Sequence, residues 1–585
     1  MKASILTFLI LFFAISKYCQ NEVTSTKLEV KEYPAEKDTT FDQGSGITGV
    51  LVDKNQIGNL KTLGLIWGFL KYYHPNIAKG AYNWDYELFR ILPKVLHSDN
   101  KSNLDSILVK WINGLGDFPQ GKNNIIKAAE VKIEPDLDWI KDSGFSDELR
   151  AILLKVKNAN RSQEHYYIGL KEGTNNPDFK NENAYPSMKY PDLGFRLLTL
   201  YRYWNIIQYY FPYKNLIEED WKNVLEEFIP KFIASKDEKE YTLVTLELIG
   251  RVHDTHANIW GGNQVLKDHF GQRYACVELT FIDDKPVVKD FYDEQWGKET
   301  GLEIGDIISV VNNRPVEEIV QEKLKYSPAS NYPTKLRDMA FNLLRTNDSI
   351  IQIEYIRADK KYNKRLKTYS SNEINIYSNF FNTDTCFKLI DKDIAYLNNG
   401  SLKRKYLPEI WKSIEHTKGL IIDIRNYPTD FVIYDLSDYL MPDCIQFVKI
   451  TNGSIETPGL FAFDRTLYVG KENKNYYKGK VVILVNELTQ SSSEFHAMAY
   501  RLHPKATVIG STTAGADGNI SQFSLPGAIS SVISGIGIYY PDGRETQRVG
   551  IVPDIEVKPT ILGLMSGQDE VLNKAIEIIQ GTMKK

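Results

Sequence analysis

Three consecutive serines, Ser491 to Ser493, stand between a short apolar run and a helix-forming run, with Glu494 directly after them. Lys478 to Asn486 (KGKVVILVN) is dense in β-branched residues and predicts a central strand buried on both faces. After Glu487-Leu488-Thr489-Gln490 and the serines, Phe495 to Leu502 (FHAMAYRL) holds good helix formers and no Gly or Pro. This reads as strand, tight turn, helix. A serine on such a turn projects its hydroxyl from the end of a sheet, and its own N–H and the next one sit at a helix N-terminus, where an oxyanion can be held. Ser493 is therefore the candidate nucleophile, and the chemistry would be acyl transfer. The same residues also suit a plain helix cap, with Glu494 at the positive end of the helix.

Elements elsewhere must position that serine. A chain of 585 residues predicts about three to five domains. Its 42% hydrophobic and 25% charged residues are those of a globular chain, and a net charge of −4 without a long basic run gives no electrostatic case for nucleic acid. Lys2, the apolar run from Ile5 to Ile15, and the small Ala14 and Ser16 predict a secretory signal peptide over residues 1–18, hence export to a periplasmic or extracellular location. Cys19 would tie the chain to a membrane only if it were lipidated, and Ser16-Lys17-Tyr18 fits a lipoprotein cleavage box poorly. Cys276, Cys386 and Cys444 support neither a disulfide framework nor a CxxC metal site. No metal and no organic cofactor is called for. Residues 19–47 are polar and predict a flexible lead.

The stretch Thr489 to Phe495, Val508-Ile509-Gly510 with Thr512-Thr513-Ala514-Gly515, and Gly550-Ile551-Val552-Pro553-Asp554-Ile555 resemble the C-terminal processing (tail-specific) peptidases. That clan includes the tricorn core protease and the interphotoreceptor retinoid-binding modules. The resemblance implies that Ser493, directly before the glutamate, attacks, and that residues 376–585 form an α/β catalytic domain of the crotonase-like ββα kind. Asp393 to Leu397 and Gly419 to Ile424 read as buried strands flanking a helix around Leu407 to Ile414, as β-α-β units require. Asp423-Ile424-Arg425-Asn426-Tyr427-Pro428 is similar to the family's Asp-x-Arg-x-Asn-Pro-Gly-Gly segment, whose backbone helps form the oxyanion hole. Thr429 and Asp430 replace the two glycines here. Pro428 has no N–H, so Thr429 is the second expected donor beside the N–H of Glu494.

An internal repeat precedes this domain. Trp67, Tyr72, Tyr73, Pro75, Trp84, Pro93, Lys94, Ile112 and Asp117 recur 137 positions later as Trp204, Tyr209, Tyr210, Pro212, Trp221, Pro230, Lys231, Ile249 and Asp254. Apolar residues at helical spacing, such as Leu65, Phe69 and Tyr72, make each copy a helical unit, over 48–120 and 191–265. Residues 121–190, rich in Asn, Lys and Pro, predict a connector that leaves the two units separately folded. Only the second copy offers an imidazole at its end, in Asp254-Thr255-His256-Ala257. In the tricorn-like branch a histidine in such a segment is the general base with a hydroxyl residue before it, which maps the base onto His256 and the hydroxyl onto Thr255. The chemistry agrees, since a serine hydroxyl needs a neighbouring base that titrates near neutrality. His253 and His256 could also form an i, i+3 metal pair, but no third ligand is signalled.

Residues 270–368 alternate in strand fashion around Gly301-Leu302-Glu303-Ile304-Gly305-Asp306-Ile307-Ile308-Ser309-Val310-Val311-Asn312, which resembles the PDZ signature. The resemblance implies capture of a polypeptide, its C-terminal end included, with Gly301 and Leu302 at the peptide site; a lid or scaffold role is the alternative.

The loop Ala514 to Asn519 holds no lysine, so the serine-lysine dyad of the processing branch is unsupported. The histidine arrangement expects a late glutamate. Alignment reaches Gln547, with Glu545 two residues earlier on the same strand face, and Glu545 is preferred. The expected whole is multidomain α/β: an exported serine peptidase, endopeptidase or tail-specific, acting through an acyl-enzyme on Ser493. The alternatives are a non-hydrolytic binding scaffold of the same fold and esterase-like acyl transfer on nonpeptide substrates by the same chemistry.

Overall fold

The structure, a computed structural model, describes residues 32–48, 53–121, 130–377 and 385–581. The expected signal peptide and Cys19 lie outside the described residues. Among the described residues no helix is long and apolar enough to cross a membrane.

The N-terminal half is helical. Asp53, Asn83 and Asn100 cap α1 (Lys54–Tyr73), α2 (Trp84–Leu96) and α3 (Lys101–Asn113); Asp192, Asp220 and Asp237 cap α4 (Leu193–Tyr210), α5 (Trp221–Ala234) and α6 (Glu238–Gly250). The residues at the 137-position offset adopt matching arrangements. Trp67 and Trp84 each donate the indole N–H to the other's carbonyl, at 3.0 and 2.9 Å, and Trp204 and Trp221 do the same at 2.7 and 3.0 Å. Reciprocal bonding lets four large indoles be buried without an orphaned donor.

Two expectations are corrected here. The three-helix segments are not separately folded: one hydrophobic core runs through both, through Trp139, Leu149 and Leu153 of the supposed connector, and on to Phe523 and Ile533. The connector's polar punctuation marks turns between short elements, Trp139–Asp142, Asp147–Lys157 and the paired strands Ile168–Leu170 and Pro177–Phe179. Nor is the lead free over residues 32–48. Ser45 donates from both N and Oγ to the Asp192 carboxylate, each at 2.6 Å, and Asp38 pairs with Arg90.

After α6 a tight turn leads into a two-residue strand, β1 (Ile259–Trp260). Residues 273–370 then form an antiparallel sheet of eight strands with its own core, which includes Leu302, Ile308 and Leu336. Gly301 ends a short helix in the left-handed conformation, φ 67°. Asn312 and Asn313, both at positive φ, make the hairpin turn that follows Ile307–Val311. Within this region α7 (Tyr332–Leu343) bonds to the C-terminal half through Arg337, which donates to Glu487 O at 2.9 Å.

The C-terminal half is built on strands β2 (Phe387–Asp391), β3 (Ile394–Asn398), β4 (Gly419–Asp423), β5 (Lys480–Val485), β6 (Ala506–Gly510), β7 (Ile520–Leu525), β8 (Ile529–Ser534) and β9 (Ile555–Glu556). Six pair in the order β2-β3-β4-β5-β6-β9, parallel apart from β2. The expected β5 is thus interior, every residue from Val481 to Val485 is buried, and α8 (Leu407–Ile414) joins β3 to β4 as the apolar spacing predicted. β7, β8 and β1 form a separate sheet in that order. That pairing, Ser530 to Trp260 and Ser531 to Ile259, carries the end of the helical region onto the C-terminal half.

Candidate active site

The run after β5 folds as a sharp elbow into α9 (Ser492–Tyr500). Thr489 tightens it: its hydroxyl accepts from Asn486 N at 3.1 Å and donates to the Ile424 carbonyl at 2.8 Å. Ser491 sits at φ 55°, a strained value for a residue with a Cβ. Glu494 stabilises this elbow. Its fully buried carboxylate accepts from the N–H groups of Ser491, Gly515 and Ala516 at 3.1, 2.8 and 3.1 Å and from the Thr513 hydroxyl. Burial raises its pKa, and those four donors pull it back. Glu494 is thus more than a dipole partner: it ties the helix start to the loop 513–516.

Ser493 is buried on the first turn of α9. Its N–H goes to Gln490 O at 3.0 Å, while the N–H of Glu494 faces the Ser491 side chain in a capping box at the helix start. The Ser493 hydroxyl donates to the carbonyl of Asn426 at 2.5 Å. Asn426 belongs to the segment after β4, which two anchors hold. Arg425 is gripped by Asp423 and, at 2.9 and 2.7 Å, by both oxygens of Asp569, the cap of α10 (Glu570–Gln580). The Asn426 amide donates to Asn398 at 2.8 Å. Thr429 follows in the same segment, its hydroxyl on Leu402 O at 3.2 Å.

The second cluster is built on the turn before β1. Asp254 is fully buried and accepts four hydrogen bonds: from His256 N at 3.1 Å, Ser534 N at 2.7 Å, Ser534 Oγ at 3.0 Å and Gln547 Nε2 at 3.2 Å. His256 Nδ1 lies 2.9 Å from Ser534 Oγ, a residue 278 positions away, and 3.7 Å from Asp254 Oδ1. Its Nε2 has no hydrogen-bond partner among the described residues. Burial lowers the His256 pKa below 6.5, and the Asp254 charge pulls it upward. Thr255 exchanges hydrogen bonds with Ser330, which precedes α7, and donates to Ala514 O at 3.0 Å. Through the loop 513–516, bonded to Thr255 on one side and Glu494 on the other, the two clusters meet. Ser493 and His256 are not hydrogen bonded to each other.

The remaining expected site residues separate. Glu545 forms an ion pair with Lys132 at 2.7 Å and does not bond the His256 cluster, whereas the buried Gln547 does, through Asp254. Leu302 packs in the core of the eight-stranded region, and Gly301 offers its carbonyl to Arg357 at 3.1 Å. His253 contacts Lys335 at 3.2 Å, and no group of three or more His, Cys, Asp or Glu suited to a metal ion occurs among the described residues. Sequence reasoning passed over Asp254 and Ser534. Asp254 was visible as the counterpart of Asp117, but nothing in a serine two hundred-odd positions downstream signalled its partner.

Residues 393–557 match the model of peptidase family S41. A carboxy-terminal-processing protease of Bartonella bacilliformis is 24% identical over 197 residues, 32% of this chain and 44% of that protein, so the chain spans less than half the length of this curated relative. Two solved structures of mature CPAF, one of them with lactacystin, superpose with a TM-score of 0.51 each, at 13% and 12% identity. They cover 67% of this chain and 99% and 98% of theirs, a likeness of fold.

Proposed function

We propose, on the match of residues 393–557 to peptidase family S41, that this chain is a serine peptidase that works through an acyl-enzyme on Ser493. The observation that carries the reading is the pairing of an elbow serine with a histidine whose Nε2 is unbonded, on two segments laced to one loop. His256 Nε2 takes the proton of Ser493 as Oγ attacks the peptide carbonyl, then returns it to the leaving amine. The N–H groups of Glu494 and Thr429 hold the oxyanion, and water then releases the acyl group. Attack requires the Ser493 hydroxyl to leave the Asn426 carbonyl and turn to His256.

The finer picture belongs to the same proposal. The catalytic half is crotonase-like, the helical segments are copies of one unit, residues 270–368 are a PDZ-like domain that receives a polypeptide end, and the chain is exported. A non-hydrolytic scaffold is the second reading. The bond from Ser493 to Asn426 favours it, because a hydroxyl so engaged is not poised for attack. A fluorophosphonate probe separates the two. Labelling of wild type that is lost in Ser493→Ala supports the peptidase; absence of labelling and of peptide hydrolysis in wild type rejects it.

A further inference from the structure

In histidine-based serine peptidases a carboxylate steadies the imidazolium that forms during attack. Here the late position carries Gln547, a neutral amide, and Glu545 is committed to Lys132. We infer that the charge comes instead from Asp254, transmitted to His256 through the hydroxyl of Ser534, so that Asp254 and Ser534 are the positioning residues of the base. This rests on the acyl-enzyme reading above.

Proton accounting supports it. The Asp254 carboxylate accepts from four donors, two of them the backbone N–H groups of His256 and Ser534. The Ser534 hydroxyl spends its single proton on Asp254 Oδ1 at 3.0 Å, so toward His256 Nδ1 at 2.9 Å it has only a lone pair. Nδ1 must therefore carry the hydrogen, which leaves the lone pair on Nε2, the nitrogen facing no partner. When Nε2 takes the Ser493 proton, the Nδ1 proton stays in place and the new positive charge is held by Asp254 across one hydroxyl. No proton passes beyond the ring, and the same Nε2 proton departs with the amine.

The identity of Gln547 follows from the same arrangement. Its Nε2 faces Asp254 at 3.2 Å, while its buried Oε1 has no partner among the described residues. A glutamate there would set a second carboxylate against the first. Of the other titratable groups near the cluster, Tyr203 and Tyr213, which face Asp254, are held far above the ordinary tyrosine value by burial, and His253 is kept low by burial and by the charges of Lys335 and Arg548.

The test is the pH dependence of kcat/KM for a fluorogenic peptide in wild type, Asp254→Asn, Ser534→Ala and Gln547→Glu. Asp254→Asn should fall about 10²–10⁴-fold and move the acid limb to lower pH, because the charge that raises the imidazole pKa is gone. Ser534→Ala should fall less, with the limb displaced the same way, and Gln547→Glu should not exceed wild type. A rise in Gln547→Glu, or an unmoved limb in Asp254→Asn, overturns the relay. Should Asp254→Asn fail to fold, ¹⁵N-histidine NMR of full-length Ser493→Ala reads the tautomer directly, with His256→Gln assigning the signal. An Nδ1–H imidazole at neutral pH is expected, and an Nε2–H imidazole overturns the proposal. That measurement needs no activity, so its failure is distinct from failure of the peptidase reading, which the fluorophosphonate probe decides.

Discussion

The hydroxyl of Ser493 donates to the main-chain carbonyl of Asn426 at 2.5 Å, so a carbonyl of the segment proposed to line the oxyanion hole occupies the proposed nucleophile. A neutral hydrogen bond contributes only about 0.5–1.5 kcal/mol net, which substrate binding can offset readily. Probe labelling of wild type should therefore proceed, and Ser493→Ala should abolish it while leaving the melting temperature within a few degrees. Mass spectrometry of the labelled peptide checks the site; an adduct on Ser491 or Ser492 would remove Ser493 from the mechanism.

Thr429 is the segment's expected second donor. Thr429→Pro deletes its N–H, and loss of one oxyanion donor costs about 10²–10³-fold in kcat. Thr429→Gly keeps the N–H and should retain activity within about tenfold. Equal losses in both variants would show that the side chain, bonded to Leu402 O, matters and the N–H does not.

Gly68 lies against Asn205, which the 137-position offset makes its own counterpart, as Gly64 lies against Tyr201. A Cβ on Gly68 would stand 1.8 Å from the Asn205 side chain, far inside contact, where α1 crosses α4. Gly68→Ala should destabilise the chain by about 1–3 kcal/mol, read as a lower denaturation midpoint, and Asn205→Ala in the same chain should recover part of it. Additive losses would mean that the two positions do not press on each other.

Burial lowers His74 and His496 to about 4 and His165 to about 3, against an ordinary 6.5. For these bases the unfolded chain binds more protons below pH 6.5, so their contribution is complete above 6.5 and is lost as pH falls toward 4 and 3. Glu494 and Asp517, raised by burial, act in the opposite sense. His165→Gln should therefore flatten the slope of stability between pH 6.5 and 5 relative to wild type. Urea unfolding at four pH values measures it, and an unchanged slope would mean that His165 is not neutral in the folded state.

Local pattern determined much of this protein. Alternation of β-branched runs with helix formers is enough to place β5, α9, α8 and β4, and the tryptophan offset marks two matching three-helix segments, because periodicity and capping act over a few residues. Ser493, His256 and Thr255 were legible as types at a spacing. What tertiary structure alone decided is which distant groups they face. The register of β1 against β8 sets Ser534 beside His256; an ion pair with Lys132 takes Glu545 and leaves Gln547 for Asp254; and the polar stretch after residue 129 joins the core it was expected to leave. Those outcomes turn on burial and on partners far along the chain, and neither hydropathy nor spacing records which hydroxyl or carboxylate will be enclosed next to which.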